Sequence, residues 1–194
     1  MGRFNLRWLL PAAVLALGLA AVAAVLLLAP PKSVSAGPDI GGPFVLSAQD
    51  GRKVTQADFA GAPFLVFFGY THCPDVCPTT LFDVSQIFAK LGKDRKIAAA
   101  FITVDPERDT PAVMKDFMAS FDPRILALSG PPDALQPVLK AYRVYAKKVA
   151  GKDGEYSMDH TALVYLMDKN GRFASSFNTM QTPEAAAREL AAYF

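Results

Sequence analysis

Two cysteines, two histidines and one tryptophan are the whole supply of those residues in this 194-residue chain. Chemistry built on sulfur thiols or imidazole therefore draws on four side chains. The chain also lacks an excess of charge of one sign. Setting aside Arg3, Arg7 and Lys32, which flank a long apolar run, the 20 Lys and Arg fall to 17, against 18 Asp and Glu. Such a balance leaves no electrostatic footprint for nucleic acid. Internal repeats are missing too, so a solenoid or propeller is excluded.

Charge itself is absent for 24 residues, from Trp8 to Pro31. As a helix this run spans about 36 Å, more than a hydrocarbon core of about 30 Å. Val34-Ser35-Ala36 resembles a signal-peptide cleavage site, but the apolar region of such peptides runs only about 7–15 residues. An uncleaved transmembrane anchor over 8–29 is expected, and with no cysteine near the end of the run, a lipoprotein anchor is not. Arg3 and Arg7 before it, with only Lys32 close after, keep 1–7 in the cytoplasm. The expected setting is a bacterial inner membrane crossed once, with the globular domain in the periplasm. Residues 30–43, rich in Pro, Gly and Ser, read as a linker to a domain over 44–194.

Within that domain, Asp50-Gly51 between alternating segments predicts a two-residue hairpin turn. Pro63–Tyr70 and Ile97–Val104 are continuous apolar runs, as in strands buried on both faces. Leu81, Val84, Ile87, Phe88 and Leu91 form a helical stripe over Pro78–Leu91. Asp109-Thr110-Pro111 caps a helix reaching about Phe121. A short strand at Arg124–Leu128 and a helix over Asp133–Tyr142 follow, with Pro137 in its first turn or at a kink. Ala162–Met167 and Arg172–Phe177 form a hairpin, and Thr182-Pro183-Glu184 caps a last helix. Strands alternating with helices predict an α/β sandwich with a mixed sheet.

Both cysteines stand in "GYTHCPDVCPTTL", where the strand Pro63–Tyr70 passes into a helix. Ligand sites of open α/β sheets lie at such carboxyl ends. Cys73 and Cys77, one helical turn apart, are close enough to bridge as a disulfide or to reach one ion. A helix N-terminus favours thiolate for either purpose. Packing alone is the weakest explanation, because Pro74 and Pro78 constrain the backbone and Asp75 is polar. His72 adjoins Cys73 and is expected to point away. His160, expected in a loop before Ala162–Met167, completes a three-ligand set if that strand lies beside Pro63–Tyr70. Two thiolates and an imidazole suit copper, whereas a structural zinc wants a fourth protein ligand. Met158 reads as packing, and "DPERD" reads mainly as a helix cap with Arg108 paired to Glu107 or Asp105.

"GYTHCPDVCPTTL", "TVDPERDTP" (Thr103–Pro111) and "MDHTALVYLMD" (Met158–Asp168) together resemble the Sco/SenC family. These are membrane-anchored copper proteins that assist assembly of cytochrome c oxidase. The resemblance covers about residues 38–194. It implies a thioredoxin-like fold and one copper ion, Cu(I) or Cu(II), on Cys73, Cys77 and His160. It also implies delivery of copper to, or reduction of, the dinuclear copper centre of oxidase subunit II. Asp159 precedes the ligand histidine as in the family and is expected to orient the ring or balance charge. An upstream copper donor and a thiol reductant would be further partners, the exported side being oxidising. The alternative is a thiol–disulfide oxidoreductase using Cys73 and Cys77 as a redox pair without metal. Against it stand the C-x-x-x-C spacing, where such enzymes carry C-x-x-C, and Thr161-Ala162 in place of a proline.

Overall fold

A computed structural model describes residues 39–152 and 154–194. The predicted anchor over 8–29 and the first part of the linker lie outside the described residues. Among those described, no helix is long and apolar enough to cross a membrane.

The chain enters through β1 (Val45–Ala48) and β2 (Lys53–Thr55), paired antiparallel with Ser47 opposite Lys53. The turn between them holds three residues rather than two. Ala48 N–H bonds to the Arg52 carbonyl at 2.9 Å, Gly51 N–H returns to the Ala48 carbonyl at 2.8 Å, and Gly51 takes φ +85°. That is a turn closed by a left-handed glycine and a bulge, which asks for glycine at the third loop position.

β3 (Phe64–Gly69) is buried at every residue, as the unbroken apolar run requires. It lies parallel to β4 (Ala98–Thr103), with Gly69 opposite Thr103. β4 in turn lies parallel to β5 (Ile125–Ser129). On the other side of β3 runs β8 (Val164–Met167), antiparallel with Phe67 opposite Val164. β9 (Phe173–Ser176) closes that edge, giving the order β2-β1-β5-β4-β3-β8-β9. The sheet is mixed, as predicted, and β8 is the neighbour of β3 on which the approach of His160 depends.

Among the described residues, four α-helices accompany the sheet: α1 (Val76–Leu91), α2 (Pro111–Met118), α3 (Pro132–Ala141) and α4 (Pro183–Ala191). α1 and α4 pack on each other, α2 packs on β5 and α3 on β1. Thr110 and Thr182 cap α2 and α4 as predicted, their hydroxyls accepting from Val113 N–H and Ala185 N–H. Pro137 sits inside α3 rather than at its start. α1 begins two residues earlier than its apolar stripe suggests, so Cys77 lies within its first turn and Pro78 at the third helical position. A proline is tolerated there because first-turn N–H groups have no partner inside the helix. This arrangement is a thioredoxin-like sandwich.

The sequence predicts no strand between 143 and 161, yet the chain forms two there. β6 (Ala146–Ala150) and β7 (Tyr156–His160) pair antiparallel as a separate two-stranded sheet, with Ala146 opposite His160. His160 therefore ends a strand instead of lying in a loop. Tyr156, Met158 and His160 share the partly buried face of β7, and Ser157 and Asp159 are exposed on the other.

Candidate metal centre

The segment leaving β3 turns sharply, with Cys73 N–H bonded to the Tyr70 carbonyl at 3.2 Å. It then enters α1 at Val76. Asp75, at the N-cap, makes no side-chain bond to the helix amides. The Cys77 N–H instead faces the Cys73 sulfur at 3.4 Å. Sulfur thus takes the part that a serine or aspartate oxygen usually plays at a helix N-terminus. The bond would strengthen when that sulfur loses its proton to water and becomes a thiolate.

Cys77 points inward and is fully buried, while Cys73 is half-buried, and both are free thiols. Room for the Cys77 sulfur exists because residue 69 is glycine. A Cβ there would stand 2.7 Å from Cys77 Sγ and 2.7 Å from Phe101 Cε2. Burial first, then the contact with Cys73, pushes the Cys77 thiol well above its ordinary range. A cation beside it would reverse that preference, since a coordinating thiol is deprotonated outright.

His160 reaches this pocket from β7. Its Nε2 lies 4.0 Å from Cys77 Sγ, and its Nδ1 lies 3.0 Å from the Thr161 carbonyl. A carbonyl only accepts, so Nδ1 is the donor of that pair and Nε2 is the ring nitrogen that faces the sulfur. Tyr70 holds the ring edge-on, with centroids 5.8 Å apart and planes at 86°. A metal held by a thiolate at about 2.3 Å and an imidazole at about 2.0 Å, at about 120°, separates the two donors by about 3.7 Å. The observed 4.0 Å fits one ion between them with a shift of a few tenths of an ångström. Among the described residues, no three His, Cys, Asp or Glu side chains already stand close enough to enclose an ion.

Of the other residues singled out in the sequence, His72 is exposed, its Nδ1 3.1 Å from Thr71 Oγ1. Met158 packs against the core. Asp159 is exposed on the far face of β7, and the carbonyl of Thr161 orients the ring instead. Residues 105–109 do more than cap a helix. Asp109 is buried and accepts from Thr71 N–H at 3.2 Å, Thr71 Oγ1 at 2.6 Å and Thr103 Oγ1. Burial holds its carboxyl above the ordinary range, against the pull of those donors. Arg108 pairs with Asp105. The signal for Asp109 was an acidic residue one place before a threonine already sufficient as the cap.

A family model for SCO1/SenC matches residues 32–194. The chain is 36% identical over 174 residues to the SCO2-like protein RP587 of Rickettsia prowazekii, covering 84% of this chain and 85% of that one. It is 36% identical over 140 residues to the mitochondrial SCO1 homolog 1 of Arabidopsis thaliana, covering 71% of this chain but spanning only 42% of that longer relative. The copper-bound structure of ScoI from Bradyrhizobium japonicum superposes with a TM-score of 0.77 at 58% identity, over 80% of this chain and 99% of that one. Matched by that family model from residue 32 to residue 194, the chain belongs to the SCO1/SenC family.

Proposed function

We propose that this protein carries one copper ion on Cys73, Cys77 and His160 and passes it to the dinuclear copper centre of cytochrome c oxidase subunit II. The anchor over 8–29 would hold it to a bacterial inner membrane with the domain in the periplasm. The observation that carries the reading is His160 Nε2 facing the Cys77 sulfur across 4.0 Å. Copper-bound ScoI of B. japonicum and copper-bound Sco1 of yeast support it, as does the description of BsSco as one of the Sco family of cytochrome c oxidase assembly proteins. Two thiolates and an imidazole are soft enough for Cu(I) and hold Cu(II) as well. Copper is cargo here, and the chain's part is to hold it without enclosing it. A half-buried Cys73 leaves a side from which an incoming ligand can attack.

Copper titration of the reduced full chain in detergent tests this. One equivalent should bind, with mixed sulfur and nitrogen scattering in X-ray absorption, and each of Cys73→Ala, Cys77→Ala and His160→Ala should weaken it. Equal uptake by His160→Ala would rule out the three-ligand site.

A second reading rests on the unequal exposure of the two free thiols. Cys73 is accessible enough to attack a target disulfide, and Cys77 can resolve the mixed disulfide. The target then leaves with two thiols while Cys73 and Cys77 are oxidised to a disulfide. Full oxidase assembly with His160→Ala would favour that reading.

A further inference from the structure

The hairpin carrying His160 has no ladder to the main sheet, since β6 and β7 pair only with each other. Apart from the contact of His160 with Cys77 and that of the Tyr70 hydroxyl with the Met158 backbone, three described side-chain hydrogen bonds join these strands to the body, and all end within residues 105–109. Tyr156 Oη donates to Asp105 Oδ1 at 2.9 Å, Arg108 Nη1 donates to the Tyr156 carbonyl at 3.0 Å, and Lys148 Nζ meets Glu107 Oε2 at 2.6 Å. The Arg108 guanidinium also lies 3.6 Å from the Tyr156 ring centroid, and Arg108 is paired with Asp105, which is buried. Stacked, charge-assisted contacts at a half-buried site outweigh the exposed Lys148–Glu107 pair.

The same short loop holds the sulfur side. Asp109 receives both the backbone N–H and the hydroxyl of Thr71, two residues before Cys73. The loop is tightened on itself, Arg108 N–H and Asp109 N–H both reaching the Asp105 carbonyl, at 3.3 Å and 3.0 Å. Tyr156 and His160 share one face of β7, so what seats the tyrosine also aims the imidazole.

We propose that the loop 105–109 is a bracket that sets the spacing between sulfur and imidazole. Asp109 seats the cysteine segment, and Asp105 with Arg108 seats the histidine hairpin through Tyr156. This deepens the copper reading above and rests on it. Asp105, Arg108 and Tyr156 are positioning residues, acting on the metal only through His160.

The test uses the full chain in detergent, with Arg108→Gln and Tyr156→Phe each made alone and together with His160→Ala. In metal-free protein, hydrogen exchange at the amides of 156–160 should quicken about tenfold in either single variant, the consequence of losing one charge-assisted bond. Cu(I) affinity, measured against a chromogenic chelator, should fall about tenfold where His160 is present. The same changes should cost nothing further in the His160→Ala background. Asp109→Asn should lower affinity in both backgrounds, because it acts on the sulfurs. Unchanged exchange at 156–160, or an equal affinity loss with and without His160, overturns the bracket. If the wild type takes up no copper, the functional reading falls, and the exchange measurement alone still decides whether the loop latches the hairpin.

Discussion

Replacing Gly69 with alanine puts a methyl carbon 2.7 Å from Cys77 Sγ and 2.7 Å from Phe101 Cε2, where ordinary contact begins at 3.4 Å. Each neighbour must therefore retreat by roughly 0.7 Å, or the end of β3 must bend, in a core packed as tightly as a crystal. Overpacking of this kind costs about 1–3 kcal/mol. For a domain of about 150 residues, that is a fall in Tm of roughly 2–12 °C at about 2–4 °C per kcal/mol. The effect on copper is separable from the effect on stability. A sulfur moved by a good fraction of an ångström from a donor 4.0 Å away changes the bite of the site. Adding Phe101→Leu relieves the ring contact but not the sulfur contact. The double variant should regain part of its thermal stability while its Cu(I) affinity stays low. Thermal unfolding of metal-free protein and competition titration measure the two quantities. If Gly69→Ala melts and binds copper as the wild type does, the argument that glycine makes room for the thiol is refuted.

Asp109→Ala should destabilise the metal-free protein by about 2–3 kcal/mol in urea unfolding, because it strands the donors of buried Thr103 and half-buried Thr71. The carboxyl of Asp109 is held up by burial, so the folded state binds its proton more readily than the unfolded state. Stability from this group is present below its unfolded value of about 3.9 and is lost as pH rises through the folded value. Unfolding in a pH series should accordingly shift in favour of Asp109→Asn, relative to wild type, as pH climbs from about 3. Stripping copper with a chelator should lower the apparent stability by about 2.7 kcal/mol if the ion had been present at a hundred times its Kd, and the Tm should then respond to copper concentration. Lys90→Ala breaks the 2.7 Å pair with Glu184 between α1 and α4, but both side chains are about half exposed. The denaturation midpoint should therefore barely move, because solvent screens an exposed pair.

What the sequence made legible follows from periodicity and local chemistry. β3 and β4 announced themselves because a strand buried on both faces must be apolar at every residue, and all six positions of β3 are buried. The caps at Thr110 and Thr182 were legible because a hydroxyl followed by proline suits a helix start and little else. The hairpin of β6 and β7 was not, although Tyr156-Ser157-Met158-Asp159-His160 alternates in the period of a strand. Its partner "AKKVA" has four exposed residues out of five, and so carries no apolar alternation to answer it. The loop 105–109 was read as a cap because its further partners, Thr71 and Tyr156, stand 38 and 51 residues away from Asp109 and Asp105.

By itself the sequence determined which side chains the chemistry has to use. It set two thiols one turn apart at a strand end and left a single late histidine as the candidate third donor. Backbone geometry over a few residues was enough for that. Tertiary structure alone decided that this imidazole, 83 residues from Cys77, turns its Nε2 to the sulfur, and that Gly69 and Asp109 make the room and hold the loop. Such distances are set where separate elements pack against one another. No local pattern encodes them, because each depends on the volume and hydrogen bonding of residues from four parts of the chain at once.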